Sequence, residues 1–268
     1  MTLIPTRFLR SEAPLDMQVA ASHYEKKFGV TFDSLTFFSK ELLSELHRTE
    51  PEITEIPANI EIASQSDTTI LADVDILSRV ANIESTDLAQ REQYFSTLKA
   101  IYRKLKSPPE KASQGEDILV VGIEREGRIL AKSLGWFSIG RDLRPHAKRI
   151  PYKGGLLVGL SEFPDLEAYL KSIIIDGAIA TGATIISVID KLRPLISSFS
   201  IYSVHATYEG LHAINRYCVA TGLSLNITVG HATLGLNEKF YAVDQVNTKL
   251  LVVGDLGDTI NEFDNGLE

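Results

Sequence analysis

Hydrophobic residues follow two different patterns along the chain, and the pattern changes near residue 110. Before that point apolar residues recur mostly three or four positions apart, which is typical of amphipathic helices. The spacing is evident over Met17–His47 and clearest over Asp87–Lys106, where basic residues complete the last turn. Between them, residues 50–69 contain two prolines and alternate in polarity, which favours a loop or a short edge strand. We therefore predict a helical N-terminal region over residues 1–110, which could be a hood over a site, a dimer contact or a partner-binding surface.

Beyond residue 110 the chain contains short runs rich in β-branched residues, with helical segments between several of them. The runs are Ile118–Ile123, Ser172–Gly177, Ser200–Thr207, Leu225–Thr233 and Lys249–Asp255. Strands that alternate with helices predict an α/β fold in which a mostly parallel sheet is flanked by helices. Residues 111–268 are therefore predicted to form the core domain, and its ligands should bind beyond the carboxyl ends of the strands.

Composition narrows the class of protein. The 268 residues include a single cysteine, Cys218, which excludes an internal disulfide framework and fits a reducing compartment. The first residues lack the basic-then-apolar order of a signal peptide, and no apolar run approaches the roughly 20 residues that span a bilayer. We therefore expect a cytoplasmic protein that does not bind membranes. A formal net charge of -8 disfavours nucleic acid as a partner.

The segment IIIDGAIATGATI, residues 173–185, combines features of an anion-binding turn. Ile173–Ile175 is predicted to be a buried strand with Asp176 at its carboxyl end, and ATGAT is predicted to open a helix. Small residues let backbone amides approach a phosphate, hydroxyls add donors, and the helix start favours negative charge. A carboxylate beside such a site is suited to a sugar diol or to magnesium. The alternative is an ordinary strand-to-helix turn in which Asp176 is a turn residue.

These residues resemble a known family. DGAIATGAT is similar to the phosphoribosyl-diphosphate (PRPP) signature of the type I phosphoribosyltransferases, in the uracil phosphoribosyltransferase branch, where the second acid of the motif is also absent. VVGIEREGRILAKSL, residues 120–134, resembles the family's pyrophosphate-binding strand, loop and helix. SIGRDLRPHAKRIPYKGG, residues 138–155, resembles its next strand and basic loop, and GLNEKFYAV with GDLGD, at residues 235–243 and 254–258, resembles its C-terminal base and ribose sites.

The resemblance implies a fold, an activity and a set of site residues. The implied reaction transfers a 5-phosphoribosyl group from PRPP, with Mg²⁺, to a pyrimidine or related heteroaromatic base and releases pyrophosphate, in an enzyme that forms a homodimer. The PRPP-binding residues would be Arg125, Gly127, Arg141, Asp176, Ala180, Thr181, Gly182, Ala183 and Thr184. Tyr241, Gly254 and Asp255 would bind the base, Asp255 would also bind the metal, and Asp176, Asp255 and Arg125 would be catalytic.

Three of these assignments have a simpler alternative. Arg125 could be a solvated loop arginine, but its place at a strand end, in the order found in the family, favours contact with a ligand. Asp255 could be a turn residue in GDLGD, but the family resemblance favours a place near the metal or the ribose. For Tyr241, packing in the core is favoured over stacking on the base.

The sequence also departs from the family pattern. Glu126 stands where the family has a small residue beside pyrophosphate, and Thr259 replaces an arginine. Val243–Leu250 lacks the family's proline-glycine turn, which predicts an altered base because the readout of a small planar ring needs closely fixed donors and acceptors. The alternative function is a non-catalytic protein that senses PRPP or a nucleotide on the same fold.

Overall fold

The computed structural model describes residues 3–48, 59–62, 66–70, 105, 118–124, 126–164, 166–167, 169–237 and 240–243, with only the backbone described for 59–62, 66–70, 133 and 231. The predicted helix over Asp87–Lys106, except for Leu105, and the predicted strand over Lys249–Asp255 lie outside these residues. The functions predicted for Arg125, Gly254 and Asp255 fall outside them as well.

Eleven strands and five α-helices are seen in the described residues. The strands are β1 Thr6–Leu9, β2 Ser34–Ser39, β3 Asn59–Ile62, β4 Ser66–Ile70, β5 Ile118–Gly122, β6 Arg141–Leu143, β7 His146–Tyr152, β8 Gly155–Ser161, β9 Lys171–Ile179, β10 Ser198–Thr207 and β11 Ser224–Thr233. The helices are α1 Leu15–Phe28, α2 Lys40–His47, α3 Glu126–Ser133, α4 Ala183–Leu192 and α5 Tyr208–Thr221. Short 3-10 helices cover Arg10–Glu12 and Trp136–Ser138.

The larger sheet has seven strands in the order β3-β4-β11-β10-β9-β5-β6. All its pairs are parallel except the edge pair β3 and β4. The inner strand β9 is buried along Ile173–Ile175, as expected for a continuous apolar run in a strand that is covered on both faces. The predicted α/β fold with a mostly parallel sheet is confirmed.

Alternate residues of the sheet pack against helices on its two faces. Ile174 lies in the main core with α4 and α5, whereas Ile173 and Ile175 lie in a second cluster with α3 and Trp136. Ile174 lies on a different face from Ile173 and Ile175 because successive side chains of a β-strand point to opposite faces of the sheet. The helices are terminated by local chemistry: Thr207 caps the start of α5 through its side chain, and Gly222 ends it in the left-handed conformation.

A second, four-stranded antiparallel sheet has the order β1-β2-β8-β7. A separate apolar cluster that includes Met17, Ala21, Leu35, Ile150 and Leu157 joins helix α1 to this sheet. The N-terminal region therefore shares a sheet with residues of the core domain, through the pairing of β2 with β8.

The N-terminal region differs in part from the predicted helices. Helices α1 and α2 are present, but Ser34–Ser39 between them is a strand. Leu35 and Phe38 are three residues apart, a spacing that fits a helix, yet antiparallel pairing with β8 buries both side chains. Long-range pairing with β8, which lies more than a hundred residues away in sequence, thus overrides the local pattern. Across the described residues, no helix is long and apolar enough to cross a membrane.

Candidate functional site

Strand β9 extends beyond Asp176, and this corrects the prediction that Asp176 ends the strand. Ala178 and Ile179 continue the ladder by pairing with His205 and Ala206 of β10. On the other side of β9, pairing with β5 ends at Ile175. Asp176 therefore lies where one neighbouring strand has ended and the other continues, at an opening on the carboxyl side of the sheet.

Asp176 is a buried carboxyl group, with 9% of its surface exposed. Burial raises the pKa of Asp176 from 3.8 to about 6, and the positive charge of Arg149 and the amides of Gly177 and Ala178 lower it in part. An acid whose pKa is perturbed by burial and by a specific charged partner, and which lines a cavity, is typical of a functional site.

The loop between β9 and α4 has the geometry of an anion-binding turn. Gly182 adopts the left-handed conformation, with φ of 75°, and Ala183 begins the helix. A left-handed residue followed by a helical one turns successive amide groups toward a common point, which is suited to phosphate. The amide of Ile186 donates to the Gly182 carbonyl at 2.9 Å, and the amide of Ala183 donates to Thr181 Oγ1 at 3.2 Å.

The same loop rests on the first turn of α5. Thr207 Oγ1 donates to the Ala180 carbonyl and accepts the Gly210 amide at 3.0 Å. A Cβ on Gly210 would lie 2.3 Å from the Ala180 oxygen, and a Cβ on Gly182 would lie 2.6 Å from the Gly210 oxygen. The loop therefore requires glycine at both positions, because backbone approaches backbone too closely for a side chain.

A cavity of about 330 Å³ opens beside Asp176. It is bounded by the end of β5, by β7, by β9, by the start of α4, by α1 and by the segment at 240–241. Its lining residues include Tyr24, Lys27, Phe28, Glu124, Glu126, Lys148, Arg149, Asp176, Thr184 and Tyr241. One part of the lining is thus rich in carboxylates, and the part formed by α1, β7 and the 240–241 segment is rich in cations and aromatic rings.

Arg149 interacts with both parts of the cavity lining: its positive charge lowers the pKa of Asp176, and its guanidinium contacts the segment at 240–241. Its Nη1 donates to the Phe240 carbonyl at 3.0 Å, and its guanidinium lies over the Tyr241 ring, 5.3 Å from the ring centre. Tyr241 is 44% exposed and lines the same cavity as Asp176, so it is not a core residue. The structure therefore brings three sequence-predicted site residues, Asp176, Thr184 and Tyr241, to one cavity.

Gly127 and Gly177 allow helix α3 to pack directly on β9. A Cβ on Gly127 would lie 2.0 Å from the Ile175 carbonyl oxygen. A Cβ on Gly177 would lie 2.5 Å from Glu126 Oε2, so the Glu126 side chain covers the backbone next to Asp176. The structure thus explains both glycines by close packing, and it places the unexpected acid, Glu126, in the lining of the cavity.

Arg141 lies apart from this group of residues. It begins β6 and pairs with Leu119, which in turn pairs with Ser172, four residues before Asp176 on β9. At about 3.3 Å per residue, this places Arg141 roughly 13 Å back along the strand direction from Asp176. Its Nη1 donates to the Tyr169 hydroxyl at 3.0 Å.

Several residues of the cavity were not predicted from the sequence. Arg149 belongs to the basic segment of residues 138–155, and only the folding of β7 along the edge of the cavity brings it to the site, together with its neighbour Lys148. Tyr24, Lys27 and Phe28 come from the N-terminal helix α1, and no local signal in the sequence places that helix at the site. His47, whose Nε2 lies 2.9 Å from the Thr181 carbonyl oxygen, was missed for the same reason.

Some side chains of the cavity lining could serve as metal ligands. Over the part of the chain that the structure describes, no group of three His, Cys, Asp or Glu side chains is arranged to hold a metal ion. Among the described residues, three carboxylates line the cavity. Glu124 forms an ion pair with Arg128 at 2.8 Å, and Asp176 and Glu126 also provide hard oxygen atoms of the kind that Mg²⁺ prefers.

Comparison with known proteins gave matches among solved structures alone. The chain matches no protein-family model, and no curated protein sequence matches it. The AQ2163 protein from Aquifex aeolicus is 22% identical, with 71% of this chain and 96% of that chain covered and a TM-score of 0.47. Adenine phosphoribosyl transferase from Trypanosoma brucei is 10% identical, with 65% and 87% covered and a TM-score of 0.43. Adenine phosphoribosyltransferase from Leishmania donovani is 15% identical, with 76% and 98% covered and a TM-score of 0.41.

Proposed function

We propose that the protein is a phosphoribosyltransferase, which transfers a 5-phosphoribosyl group from PRPP to a heteroaromatic base and releases pyrophosphate. The observation that supports the proposal is the loop Ala180–Thr184, in which left-handed Gly182 leads into α4 directly after the strand that holds Asp176, a backbone geometry suited to an anion. A phosphate site and a buried carboxylate on one short segment fit the two ends of a ribose 5-phosphate group.

The chain's own residues would act by positioning and electrostatics. During transfer the bond between the anomeric carbon and the diphosphate oxygen breaks, and positive charge develops on the sugar. The bond to the base nitrogen forms, and that nitrogen gives up its proton to water. The amides and hydroxyls of Ala180–Thr184 would hold the 5-phosphate, and Asp176 would accept hydrogen bonds from the ribose hydroxyls. Both interactions fix the sugar without a covalent intermediate.

The departing diphosphate needs cations. We assign this role to Arg149 and Lys148, which line the cavity with Asp176, rather than to Arg141, which lies far along the sheet. We also propose that Arg125, which the family resemblance assigns to PRPP binding, contacts the diphosphate. Mg²⁺ fits a site of this kind because it commonly binds through one or two carboxylates, substrate phosphates and water. Asp176 and Glu126 would hold it among the described residues, and when bound it would partly neutralise the diphosphate.

The acceptor would bind between Asp176 and the aromatic part of the cavity. Tyr24, Phe28 and Tyr241 place aromatic rings in the lining there, in keeping with a planar heteroaromatic base. We retain a pyrimidine or a related small heteroaromatic ring as the proposed acceptor, and Tyr241 as its contact.

Non-catalytic sensing of PRPP or a nucleotide is the second candidate function. One observation favours it: Glu126 places a second carboxylate beside Asp176 in the cavity lining. An added negative charge opposes the build-up of charge on a leaving diphosphate. Such a protein would bind PRPP and release no pyrophosphate.

The test measures pyrophosphate release from PRPP and Mg²⁺ with a panel of pyrimidine and purine bases. Asp176→Asn is the test variant, and Asp142→Asn, at an exposed position of strand β6, is its matched control. Release with one base that is retained in Asp142→Asn and lost in Asp176→Asn supports the transferase. Binding of PRPP without release from any base supports the sensor. If the protein neither binds PRPP nor releases pyrophosphate, the proposal is wrong.

A further inference from the structure

The last residue of helix α2 contacts the phosphate-binding loop. His47 Nε2 lies 2.9 Å from the carbonyl oxygen of Thr181. A carbonyl oxygen can only accept, so the Nε2 atom carries the proton in this contact. His47 is half-buried, and burial lowers its pKa, which favours a neutral imidazole with its single proton on Nε2.

This contact fixes the direction of a peptide unit in the loop. The C=O and N–H groups of one trans peptide unit point in opposite directions. Thr207 Oγ1 binds the Ala180 carbonyl, and His47 binds the Thr181 carbonyl, from the side of α5 and α2. The N–H groups of Thr181 and Gly182 belong to the same two peptide units, so they point away from these helices. A phosphate on the open side of the loop then meets oriented donors.

His47 is itself held in place by α5. His212 Nδ1 lies 3.2 Å from the carbonyl oxygen of Leu46, and Arg216 Nη2 donates to Glu45 Oε1 at 2.9 Å. Arg216 Nη1 also donates to the Glu45 carbonyl. These contacts satisfy carbonyl groups at the C-terminal end of α2, where a helix has no internal donors left, and they fix the helix end that carries His47.

We propose that His47 is a positioning residue of the site, through which the N-terminal region sets the orientation of the phosphate-binding loop. The identity of the ligand rests on the function proposed above, but the orientation of the loop does not. The N-terminal region is thereby part of the site, and not only a cover or a contact surface. Removal of the imidazole donor should loosen the peptide unit between Thr181 and Gly182 and weaken phosphate binding.

The variants are His47→Leu, which removes the donor, and His47→Gln, whose side-chain amide can donate to the same carbonyl. His23→Leu, at an exposed position of α1, is the matched control for the same change of residue type. Hydrogen exchange of the Ala183 and Ile186 amides, which donate to Thr181 Oγ1 and to the Gly182 carbonyl, is measured without ligand. The dissociation constant of ribose 5-phosphate is measured by calorimetry. Thermal melting reports whether each variant is folded, and His47→Asn, which is too short to reach Thr181, replaces His47→Leu if that variant does not fold.

We expect faster exchange of the Ala183 and Ile186 amides in His47→Leu. We also expect at least about tenfold weaker ribose 5-phosphate binding, the equivalent of one lost hydrogen bond to a site of this kind. His47→Gln should restore both properties to within a few-fold of the wild type, and His23→Leu should leave both unchanged. Unchanged exchange and unchanged binding in His47→Leu would overturn the inference while the proposed function stands. If the wild type binds neither ribose 5-phosphate nor PRPP, the proposed function fails, and the exchange measurement alone decides the role of His47.

Discussion

Ionised Asp176 should cost the protein stability, and the cost should depend on pH in a defined way. Burial raises the pKa of Asp176 from 3.8 to about 6. The folded protein therefore holds this proton more tightly than the unfolded chain, and ionisation favours unfolding. The cost is absent well below pH 3.8, grows between the two values and is complete above about pH 6.

The size of the effect follows from the shift in pKa. A difference of about two pKa units between the folded and unfolded states corresponds to about 3 kcal/mol once the group is fully ionised. Asp176→Asn removes the charge and keeps the shape of the side chain. We therefore expect this variant to be more stable than the wild type by about 1 kcal/mol near pH 4.5 and by about 3 kcal/mol near pH 7.5.

The assay is urea unfolding of the wild type and Asp176→Asn at both pH values, with free energies of unfolding extrapolated to water. Asp142→Asn, on the exposed surface, should change stability little at either pH. The reasoning is refuted if the advantage of Asp176→Asn fails to grow with pH, or if that variant is less stable near neutral pH. A buried acid that lowers stability is expected to be kept because function requires it. Asp176→Asn should therefore be more stable than the wild type and should release no pyrophosphate.

Three further outcomes follow from the packing around the site. Gly127→Ala should lower the free energy of unfolding by about 3 kcal/mol in urea unfolding, because its Cβ would lie 2.0 Å from the Ile175 carbonyl oxygen; a neutral effect would contradict the close approach of α3 to β9. Gly177→Ala should lower the free energy of unfolding by about 1–3 kcal/mol, because its Cβ would meet the Glu126 side chain. Adding Glu126→Gly, which removes that side chain, should restore part of the loss in the same assay. If the effects of the two substitutions simply add, the contact between them is contradicted. Burial raises the pKa of the Cys218 thiol to about 12, so it should react with a thiol reagent only after denaturant is added; rapid labelling of the native protein would refute its burial.

The parallel sheet could be predicted from the sequence because its strands are nearly continuous apolar runs. Ile173–Ile175 and Ile118–Val121 are recognisable as strands without any knowledge of their neighbours, since few other elements bury such short β-branched runs on both faces. The ATGAT loop was predictable too, because the strand, the turn and the helix that form it are adjacent in the chain.

The remainder of the fold depends on contacts between distant segments. The spacing of Leu35 and Phe38 fits both a helix and a strand, and only pairing with β8 decides between them. Asp176 was expected at a strand end because it follows the apolar run Ile173–Ile175, but β10 continues to pair with β9 through Ile179. Local sequence does not encode either pairing.

Only part of the candidate site could be predicted from the sequence, because some of its residues come from distant segments of the chain. Asp176 and Thr184 lie on the segment where the sequence signal was found, and Tyr241 joins them in the cavity. Arg149 enters through the strand geometry of β7, and His47 enters through the packing of α2 on α5, so neither could be assigned from its neighbours in sequence.

Detection of the product by mass spectrometry tests the proposed reaction most directly. PRPP labelled with ¹³C in its ribose is incubated with Mg²⁺, the protein and the base that gives the fastest pyrophosphate release. We predict a labelled nucleoside 5-monophosphate that forms in proportion to the pyrophosphate and is absent with Asp176→Asn. Labelled ribose 5-phosphate without nucleotide, or intact PRPP with every base, would contradict phosphoribosyl transfer.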